Sequence, residues 1–206
     1  MFSPMKTQRI NDNLYVIRTL FVNFYIYDTG TQLIAFDTGM SKQLSKLGIN
    51  KLKLDLNKVS HVFLTHSDFD HVGGLGLFKN AKVFISKKEE PLITRKKARR
   101  GIMYNRKIQN CNLIEHLEII TVNNSSIKLI SSPGHTIGSA MYLINDDILI
   151  AGDSISLSTK GIIKNFSFVQ NMNHKENIET VNKLKEEKFF DNIPIVVTGH
   201  HGILKR

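Results

Sequence analysis

The chain has 206 residues, of which 41% are hydrophobic and 22% charged, and it contains a single cysteine. These values are typical of folded globular proteins, so they exclude a disordered, fibrous or disulfide-stapled chain. The net charge of +10 favours anionic partners by long-range attraction. The length predicts one domain over residues 1–206, and the lack of a long apolar run or an apolar N-terminal leader predicts a cytoplasmic protein without a membrane segment.

The first half of the chain contains short β-type segments separated by turn residues. These are "LYVIRTL", "NFYIYDTG" and "QLIAFDTG", whose β-branched and aromatic residues predict an antiparallel meander. Helical spacing follows over residues 41–47. The next segment, "HVFLTH", is a nearly continuous apolar run that predicts a strand buried on both faces. The polar residues after it therefore lie at the carboxyl end of a buried strand.

The second half repeats this alternation of strands and helices. The predicted strands are "LEIITV", "SIKLISS", "AMYLIND" and "DILIAGD", followed by a helix over residues 174–188 and a last strand "PIVVTGH". Both halves thus contain strands and helices. This order indicates an α+β protein with two sheets and helices on their outer faces.

A basic segment covers residues 87–107. It contains nine lysines and arginines but only two glutamates. Because runs of charge usually lie on the surface, we expect a solvated helical insertion rather than a binding surface. The second interpretation, a basic rim that attracts an anionic substrate, stays open.

Donor side chains of the kind that bind metal ions follow four predicted strands. The stretch "LTHSDFDHVGG" carries His66, Asp68, Asp70 and His71, and alternate residues of an extended segment project to the same side. Three later strands end in Gly-flanked donors, in "LISSPGHT", "ILIAGDS" and "IVVTGHHG". Histidine with carboxylate suits Zn²⁺ or iron, so the pattern predicts a metal site where the strand ends meet.

This ordered set resembles the metallo-β-lactamase superfamily, whose signature is His-x-His-x-Asp-His followed by isolated His, Asp and His ligands. The resemblance runs from the "DTG" at Asp37 to "TGHHG" and implies a four-layer αββα sandwich. It implies two sets of metal ligands: a first donor set of His66, Asp68 and His135, and a second donor set of Asp70, His71 and His200, with Asp153 between them. It also implies that Asp37 orients a ligand histidine rather than binding metal itself.

The same resemblance implies the chemistry. Two divalent metal ions, with Zn²⁺ expected first and Fe or Mn as alternatives, would activate a water for hydrolysis, and Asp70 would both bind the second ion and orient the resulting hydroxide. Asp68 stands where most relatives have a second histidine. Because a carboxylate is charged and hard, we expect the first donor set to shift toward Fe or Mn, or to be weakly occupied.

The sequence is less informative about the remaining histidines and about the substrate. We expect His61, His116 and His174 to be ordinary histidines, and we leave His201 outside the ligand set. The predicted substrate is a small, anionic ester, thioester, lactone or phosphodiester. Residues 154–175 are candidates for the mouth of its pocket.

Three alternatives stay open at this point. They are a nucleic-acid phosphodiesterase or nuclease of the same superfamily, a flavodiiron-like di-iron oxidoreductase, and a non-catalytic binding module. Nucleic acid is not favoured, because the chain is short for the large nuclease families. A missing ligand would favour the binding module, but a donor is found at every expected position.

Overall fold

The computed structural model describes residues 2–206. The strands are β1 (Gln8–Arg9), β2 (Leu14–Thr19), β3 (Val22–Asp28), β4 (Leu33–Phe36), β5 (Val59–Leu64), β6 (Lys82–Ser86), β7 (Cys111–Ile114), β8 (Ile119–Val122), β9 (Ser125–Ser131), β10 (Ala140–Ile144), β11 (Ile148–Ile150), β12 (Ile155–Leu157), β13 (Ile163–Asn165), β14 (Ile195–Val197) and β15 (Ile203–Lys205). The helices are α1 (Lys42–Lys51), α2 (Phe69–Val72), α3 (Glu90–Ile93) and α4 (His174–Glu186), with 3₁₀ turns at Leu56–Lys58, Leu75–Leu77 and Lys87–Glu89. Within residues 2–206, no helix combines the length and apolar character needed to cross a bilayer.

Strands β1 to β7 form the first sheet in sequence order. β1 to β4 pair antiparallel, as the predicted meander requires, whereas β4, β5, β6 and β7 pair in parallel. Parallel neighbours end at the same edge of a sheet. The segments that begin at Asp37 and Thr65 therefore leave this sheet side by side, and the backbone N–H of Asp37 donates to Phe63 O.

The second sheet has the order β15-β14-β11-β10-β9-β8. β11 and β14 are parallel, and the chain between them contains α4, which makes the crossover that a parallel pair needs. Their carboxyl ends lead into Asp153 and His200. The remaining pairs in this sheet are antiparallel.

The two sheets pack face to face through a core cluster that draws on both of them. Phe36 and Phe63 of the first sheet lie in this cluster with Tyr142 of the second. On the outer faces, α1 packs on the first sheet through Ile49, and α4 packs on the second through Val181. Burial of each such side chain stabilises the fold by about 1.5–3 kcal/mol. This architecture confirms the predicted four-layer αββα sandwich.

Both predicted long helices are present, and each begins at a capping residue. The Ser41 hydroxyl accepts a hydrogen bond from the Leu44 backbone N–H before α1, and the Asn173 side chain accepts one from Glu176 before α4. Such caps satisfy N–H groups that have no partner within the helix. α1 extends beyond the predicted segment 41–47, to Lys51.

The helical interpretation of the basic segment 87–107 is wrong for most of its length. Helix is limited to the 3₁₀ turn Lys87–Glu89 and to α3, after which Arg95 adopts a left-handed φ of 61°. A non-glycine residue in this conformation cannot continue a right-handed helix. The rest of the segment is irregular apart from an isolated bridge between Arg100 and Met103.

Candidate metal centre

The structure brings all seven predicted donor residues together where the two sheets end. Their donor atoms form three overlapping groups in which every ligand atom lies within 4.8 Å of the others. These groups are His66, Asp68 and His135, then Asp70, His71 and His200, and finally His66, His71 and Asp153. The first two are the donor sets that the sequence predicted, and Asp153 lies between them.

Each donor is presented by a strand end or by the short helix that follows one. His66 and Asp68 come after β5, and α2 carries Asp70 and His71. The other three follow β9, β11 and β14. Gly199, before His200, is required for this close approach, because a Cβ there would collide with Asp153 Oδ1.

Asp37 controls the ring orientation of two donor histidines. His71 Nδ1–H donates to Asp37 Oδ2 at 2.8 Å. His66 Nδ1–H donates to Thr65 Oγ1 at 3.0 Å, and that hydroxyl donates in turn to Asp37 Oδ2 at 2.8 Å. Asp37 also accepts the Thr65 backbone N–H. These contacts place Asp37 in the predicted orienting position, and they leave the Nε2 lone pairs of both histidines facing the centre.

The other two donor histidines are oriented in the same way by different partners. His200 Nδ1–H donates to the backbone carbonyl of Phe21 at 2.8 Å. His135 Nδ1–H donates to Asn171 Oδ1 at 3.2 Å, and the Asn171 amide contacts His174 on its other side. All four imidazoles therefore use Nδ1 for support and keep Nε2 for the centre, the arrangement typical of metal-binding histidines.

The second donor set, together with Asp153, has the spacing of a tetrahedral metal site. His200 Nε2 lies 3.1 Å from Asp153 Oδ2 and 3.3 Å from Asp70 Oδ2. His71 Nε2 lies 3.4 Å from Asp153 Oδ2 and 3.9 Å from Asp70 Oδ2. Ligands bonded at about 2.0–2.2 Å around tetrahedral zinc are about 3.3–3.6 Å apart. His71 Nε2 and Asp153 Oδ1 are also buried without a hydrogen-bond partner, so the donor atoms of this set fit a metal ion.

The first donor set has similar spacing, but a cation of the protein lies among its atoms. Asp68 Oδ2 is 3.3 Å from His135 Nε2 and 3.7 Å from His66 Nε2. The guanidinium of Arg99 donates from Nε to Asp68 Oδ1 at 2.8 Å and from Nη2 to Asp68 Oδ2 at 2.9 Å. As it stands, this set does not fit a metal ion, because two of its three side chains already contact Arg99.

Charge and burial perturb the ionisable groups of the centre in different directions. Burial lowers the pKa of His66 well below its usual value, which favours the neutral ring. Burial also lowers the pKa of His200, but the charge of Asp153 outweighs this effect and raises it to about 9. For His71, the charges of Asp153 and Asp37 likewise overcome burial, and the pKa lies well above the usual value. Without metal, the second donor set therefore holds protons that a cation would replace.

Asp68 is held in its charged form. Burial raises the pKa of Asp68. The hydrogen bond with His135, the charge of His66 and the Arg99 guanidinium lower it by more, so the pKa lies well below its usual value. The carboxylate also accepts a hydrogen bond from Asn105 Nδ2 at 3.1 Å. Asp68 is thus paired within the protein.

Glu89, which no sequence pattern indicated, is a buried carboxylate that links the loops on either side of the first donor set. Its Oε1 accepts from the backbone N–H of Ser67 at 3.0 Å and from the Ser67 hydroxyl at 2.6 Å. Its Oε2 accepts from Thr136 Oγ1 at 2.7 Å and from Gly138 N–H at 2.9 Å. Burial raises the pKa of Glu89, and these hydrogen bonds oppose that rise. In the sequence Glu89 looks like one more surface charge, beside Lys87 and Lys88.

The centre opens into a cavity of about 510 Å³, a size that accepts a small-molecule ligand. Its floor includes donors from both sets and Arg99, and its rim is largely apolar, with Phe69, Met103 and Tyr104 more than half exposed. Phe2 stacks on the His200 ring with centroids 4.1 Å apart. The full lining is Phe2, Phe21, Asp68, Phe69, Asp70, Arg99, Arg100, Met103, Tyr104, Asn105, Arg106, His135, Asp153, Gln170 and His200.

The predicted mouth residues 154–175 contribute less to this cavity than expected. Of the described residues 154–175, only Gln170 belongs to the lining. Phe166 is buried against the ring of His135. Lys160 and Lys164 are exposed at the small β12-β13 hairpin. The basic segment supplies six lining residues instead, Arg99, Arg100, Met103, Tyr104, Asn105 and Arg106. Arg99 is buried, whereas the other eight lysines and arginines of the segment are exposed.

Comparison with known proteins identifies the family of the chain. The family model described as the metallo-β-lactamase superfamily matches residues 17–200. A protein of Methanocaldococcus jannaschii named "Probable metallo-hydrolase" is 29% identical over 157 residues, which are 76% of this chain and 64% of that protein. A "Probable polyketide biosynthesis zinc-dependent hydrolase" of Bacillus subtilis is 26% identical over 168 residues, which are 79% of this chain and 66% of that protein. The chain therefore spans just under two thirds of either relative.

A solved structure gives the same result for the fold. A subclass B3 metallo-β-lactamase of Bradyrhizobium japonicum superposes with a TM-score of 0.74 at 19% sequence identity. The alignment covers 97% of this chain and 79% of that one. At this identity the similarity shows the sandwich fold alone.

Proposed function

The chain belongs to the metallo-β-lactamase superfamily, and on this basis we propose that it is a metal-dependent hydrolase acting on a small anionic ester, thioester, lactone or phosphodiester. The observation that carries the proposal is the second donor set. Together with Asp153 it offers two imidazole nitrogens and two carboxylate oxygens beside a cavity, with nitrogen–oxygen distances of 3.1 to 3.9 Å. Such a mixture of donors suits Zn²⁺ first, with Fe or Mn as alternatives.

A bound divalent ion would lower the pKa of a coordinated water and polarise the bond that is cleaved. The residues of the chain supply the geometry for this reaction. Asp37 keeps the His71 ring in the tautomer whose Nε2 is free, and the Phe21 carbonyl does the same for His200. Asp70 lines the cavity, and in this proposal its carboxylate both binds the ion and orients the attacking water.

The cavity wall supports a substrate that has an anionic group and an apolar body. Arg100 and Arg106 bring positive charge to the lining, and Phe2, Phe69 and Tyr104 bring apolar surface. Long-range attraction from the net charge of +10 would increase the rate of encounter with an anion. Apolar contact with the rim would then hold the remainder of the molecule.

A nucleic-acid substrate is a second candidate, supported by the exposed lysines and arginines of segment 87–107. Such a substrate would contact these cations through its phosphates, and its binding would weaken steeply with salt. We favour the small molecule because the apolar rim and the cavity of about 510 Å³ suit a compact ligand better than a continuous strand.

The proposal is tested by removing and restoring metal. The purified chain is treated with a chelator, divided, and reloaded with Zn²⁺, Fe²⁺ or Mn²⁺, and each sample is assayed on a panel of anionic thioesters, lactones and phosphodiesters. We expect hydrolysis of at least one class, lost with the chelator and regained with one ion. His71→Ala should abolish hydrolysis. The control is His116→Ala, which removes an exposed imidazole just after β7 and should leave hydrolysis unchanged. A chain that binds no metal, or hydrolyses the panel equally well without it, would contradict the proposal.

A further inference from the structure

The guanidinium of Arg99 lies within the first donor set rather than on the surface of the basic segment. Two nitrogens of Arg99 bind the Asp68 carboxylate in a bidentate contact, at 2.8 and 2.9 Å. Nη2 also lies 3.4 Å from His135 Nε2. Arg99 thus contacts two of the three members of the first donor set, Asp68 and His135.

These contacts use lone pairs that a metal ion would need. His135 Nδ1–H donates to Asn171 Oδ1, so the available lone pair of the ring is on Nε2, the atom that faces the Arg99 N–H. The geometry of the Asp68 contact is the fork in which guanidinium and carboxylate bind most strongly.

Arg99 is fixed in this position by its own surroundings. The side chain is 9% exposed, and Nη2 donates to the carbonyl of Gln170 at 2.8 Å. The backbone N–H of Arg99 donates to Met103 O at 2.7 Å. Asn105 Nδ2 supports the same pair by donating to Asp68 Oδ1. A guanidinium held by this many contacts is a built part of the centre, not a surface side chain that has folded inward.

The second donor set differs in this respect. Within residues 2–206, no lysine or arginine forms an ion pair with Asp70 or with Asp153. His71 Nε2 and Asp153 Oδ1 are buried and have no hydrogen-bond partner, and the same holds for His66 Nε2 of the first donor set. The sets therefore differ in the Arg99 contacts to Asp68 and His135, which an ion would have to displace at the first donor set and which have no counterpart at the second among residues 2–206.

We propose that Arg99 supplies, at the first donor set, the positive charge that a metal ion would otherwise supply, so that this chain takes a single divalent ion at the second donor set. The inference rests on the proposed function only for the presence of that one ion. It departs from the expectation of two ions. It also gives the carboxylate at position 68 a reason: a charged side chain pairs with Arg99, which a neutral imidazole would not do.

The test is the number of zinc ions bound per chain. The full chain is freed of metal with a chelator, equilibrated with Zn²⁺ and desalted, and its zinc is measured by elemental mass spectrometry and by calorimetric titration. We expect one ion in the wild type and two in Arg99→Ala. The matched control is Arg100→Ala, which removes the neighbouring guanidinium that donates to Asn171 O instead, and we expect it to bind one ion.

The outcomes separate this inference from the proposed function. Two ions in the wild type would overturn the inference and leave a metal-dependent hydrolase in place, whereas no ion in the wild type would contradict the proposed function. One ion in both the wild type and a folded Arg99→Ala would overturn the assignment of Arg99 as the group that excludes a second ion. If Arg99→Ala does not fold, anomalous scattering from zinc-soaked wild-type crystals decides: a single peak at the second donor set supports the inference, and a peak at the first donor set overturns it.

Discussion

The two donor sets use the same kinds of residue on the same kind of strand end, yet they differ in what lies between their atoms. At the second donor set, Asp153 Oδ2 and His200 Nε2 face each other at 3.1 Å, and no lysine or arginine of the described residues 2–206 pairs with Asp70 or Asp153. At the first donor set, the Arg99 guanidinium binds Asp68 at 2.8 Å. Similar donor spacing is therefore compatible with different partners, because a protein cation can satisfy the same carboxylate.

The largest effect is expected where the two sets meet. Asp153→Ala removes the carboxylate that lies 3.1 Å from His200 and 3.6 Å from His135. We predict that this variant loses bound zinc and that its rate of hydrolysis falls more than about 100-fold. Loss of a residue that only orients a metal ligand reduces activity by about 10- to 100-fold. Zinc content, turnover and circular dichroism are measured on this variant and on Asp147→Ala, an exposed control. Normal zinc content in Asp153→Ala would remove Asp153 from the ligand set.

The second prediction breaks the ion pair that distinguishes the first donor set. Asp68→His leaves the buried Arg99 without its carboxylate, and removing one member of a buried pair costs about 3–5 kcal/mol. We predict a marked fall in the free energy of unfolding for this variant. The double variant Asp68→His with Arg99→Ala should recover stability and gain a second zinc ion. Denaturant unfolding of the four chains gives the coupling energy, and a value near zero would mean that the pair is not coupled.

The third prediction compares the supports of the two sets. Asp37→Asn places an amide opposite His71 Nδ1 and disturbs the tautomer that frees Nε2. We predict zinc binding that is about 10- to 100-fold weaker, as for other outer partners of metal-binding histidines. Asn171→Ala removes the matching support from His135 in the first donor set. If the ion binds at the second donor set, calorimetry should find its affinity unchanged in Asn171→Ala; equal losses in both variants would contradict the comparison.

The fourth prediction concerns the pH dependence of zinc affinity. The carboxylate of Asp153 raises the pKa of His200 to about 9, so this imidazole is protonated at pH 7 in the metal-free chain and must lose its proton to bind an ion. Zinc affinity should therefore fall as pH falls from about 9 to 7, by about tenfold per pH unit for each displaced proton. Calorimetry in buffers of different ionisation enthalpy counts the released protons. No release at pH 7 would argue for an ion bound by groups that are already neutral, such as His66.

The smallest effect is expected from the exposed part of the basic segment. Lys96 and Lys97 are exposed, in contrast to Arg99. Reversing both to Glu should raise KM for an anionic substrate by roughly two- to fivefold at low salt, the range expected of exposed charges, and leave kcat and zinc content unchanged. Kinetics at low and high salt check this. A large change in kcat would contradict the prediction, because it would mean that these lysines act on the reaction step and not only on the attraction of substrate.

Much of the centre could be predicted because its residues are marked locally. Each predicted donor follows an apolar strand, and the parallel pairs β4-β5 and β11-β14 bring their carboxyl ends to one edge of each sheet. The alternation of strands and helices predicted two sheets with outer helices, and the resemblance to the superfamily implied the four-layer order. Asp37 was found through its "DTG" context, and the structure places it 2.8 Å from His71 Nδ1. The predicted single-domain organisation and the ligand roles themselves stay predictions.

The sequence by itself predicted strands with helices on their outer faces and polar donors after four strands, because strand periodicity and the residue after each strand are properties of neighbouring positions. The resemblance to the superfamily added the four-layer sandwich and the set of seven donors. Only the tertiary structure decided which charges enter the centre. Arg99 reaches Asp68 across 31 positions, and Glu89 reaches Gly138 across 49. In the sequence both lie in a run of surface-like charges. Their burial depends on how an irregular segment folds over the strand ends, and contacts between residues so distant in the chain leave no local pattern.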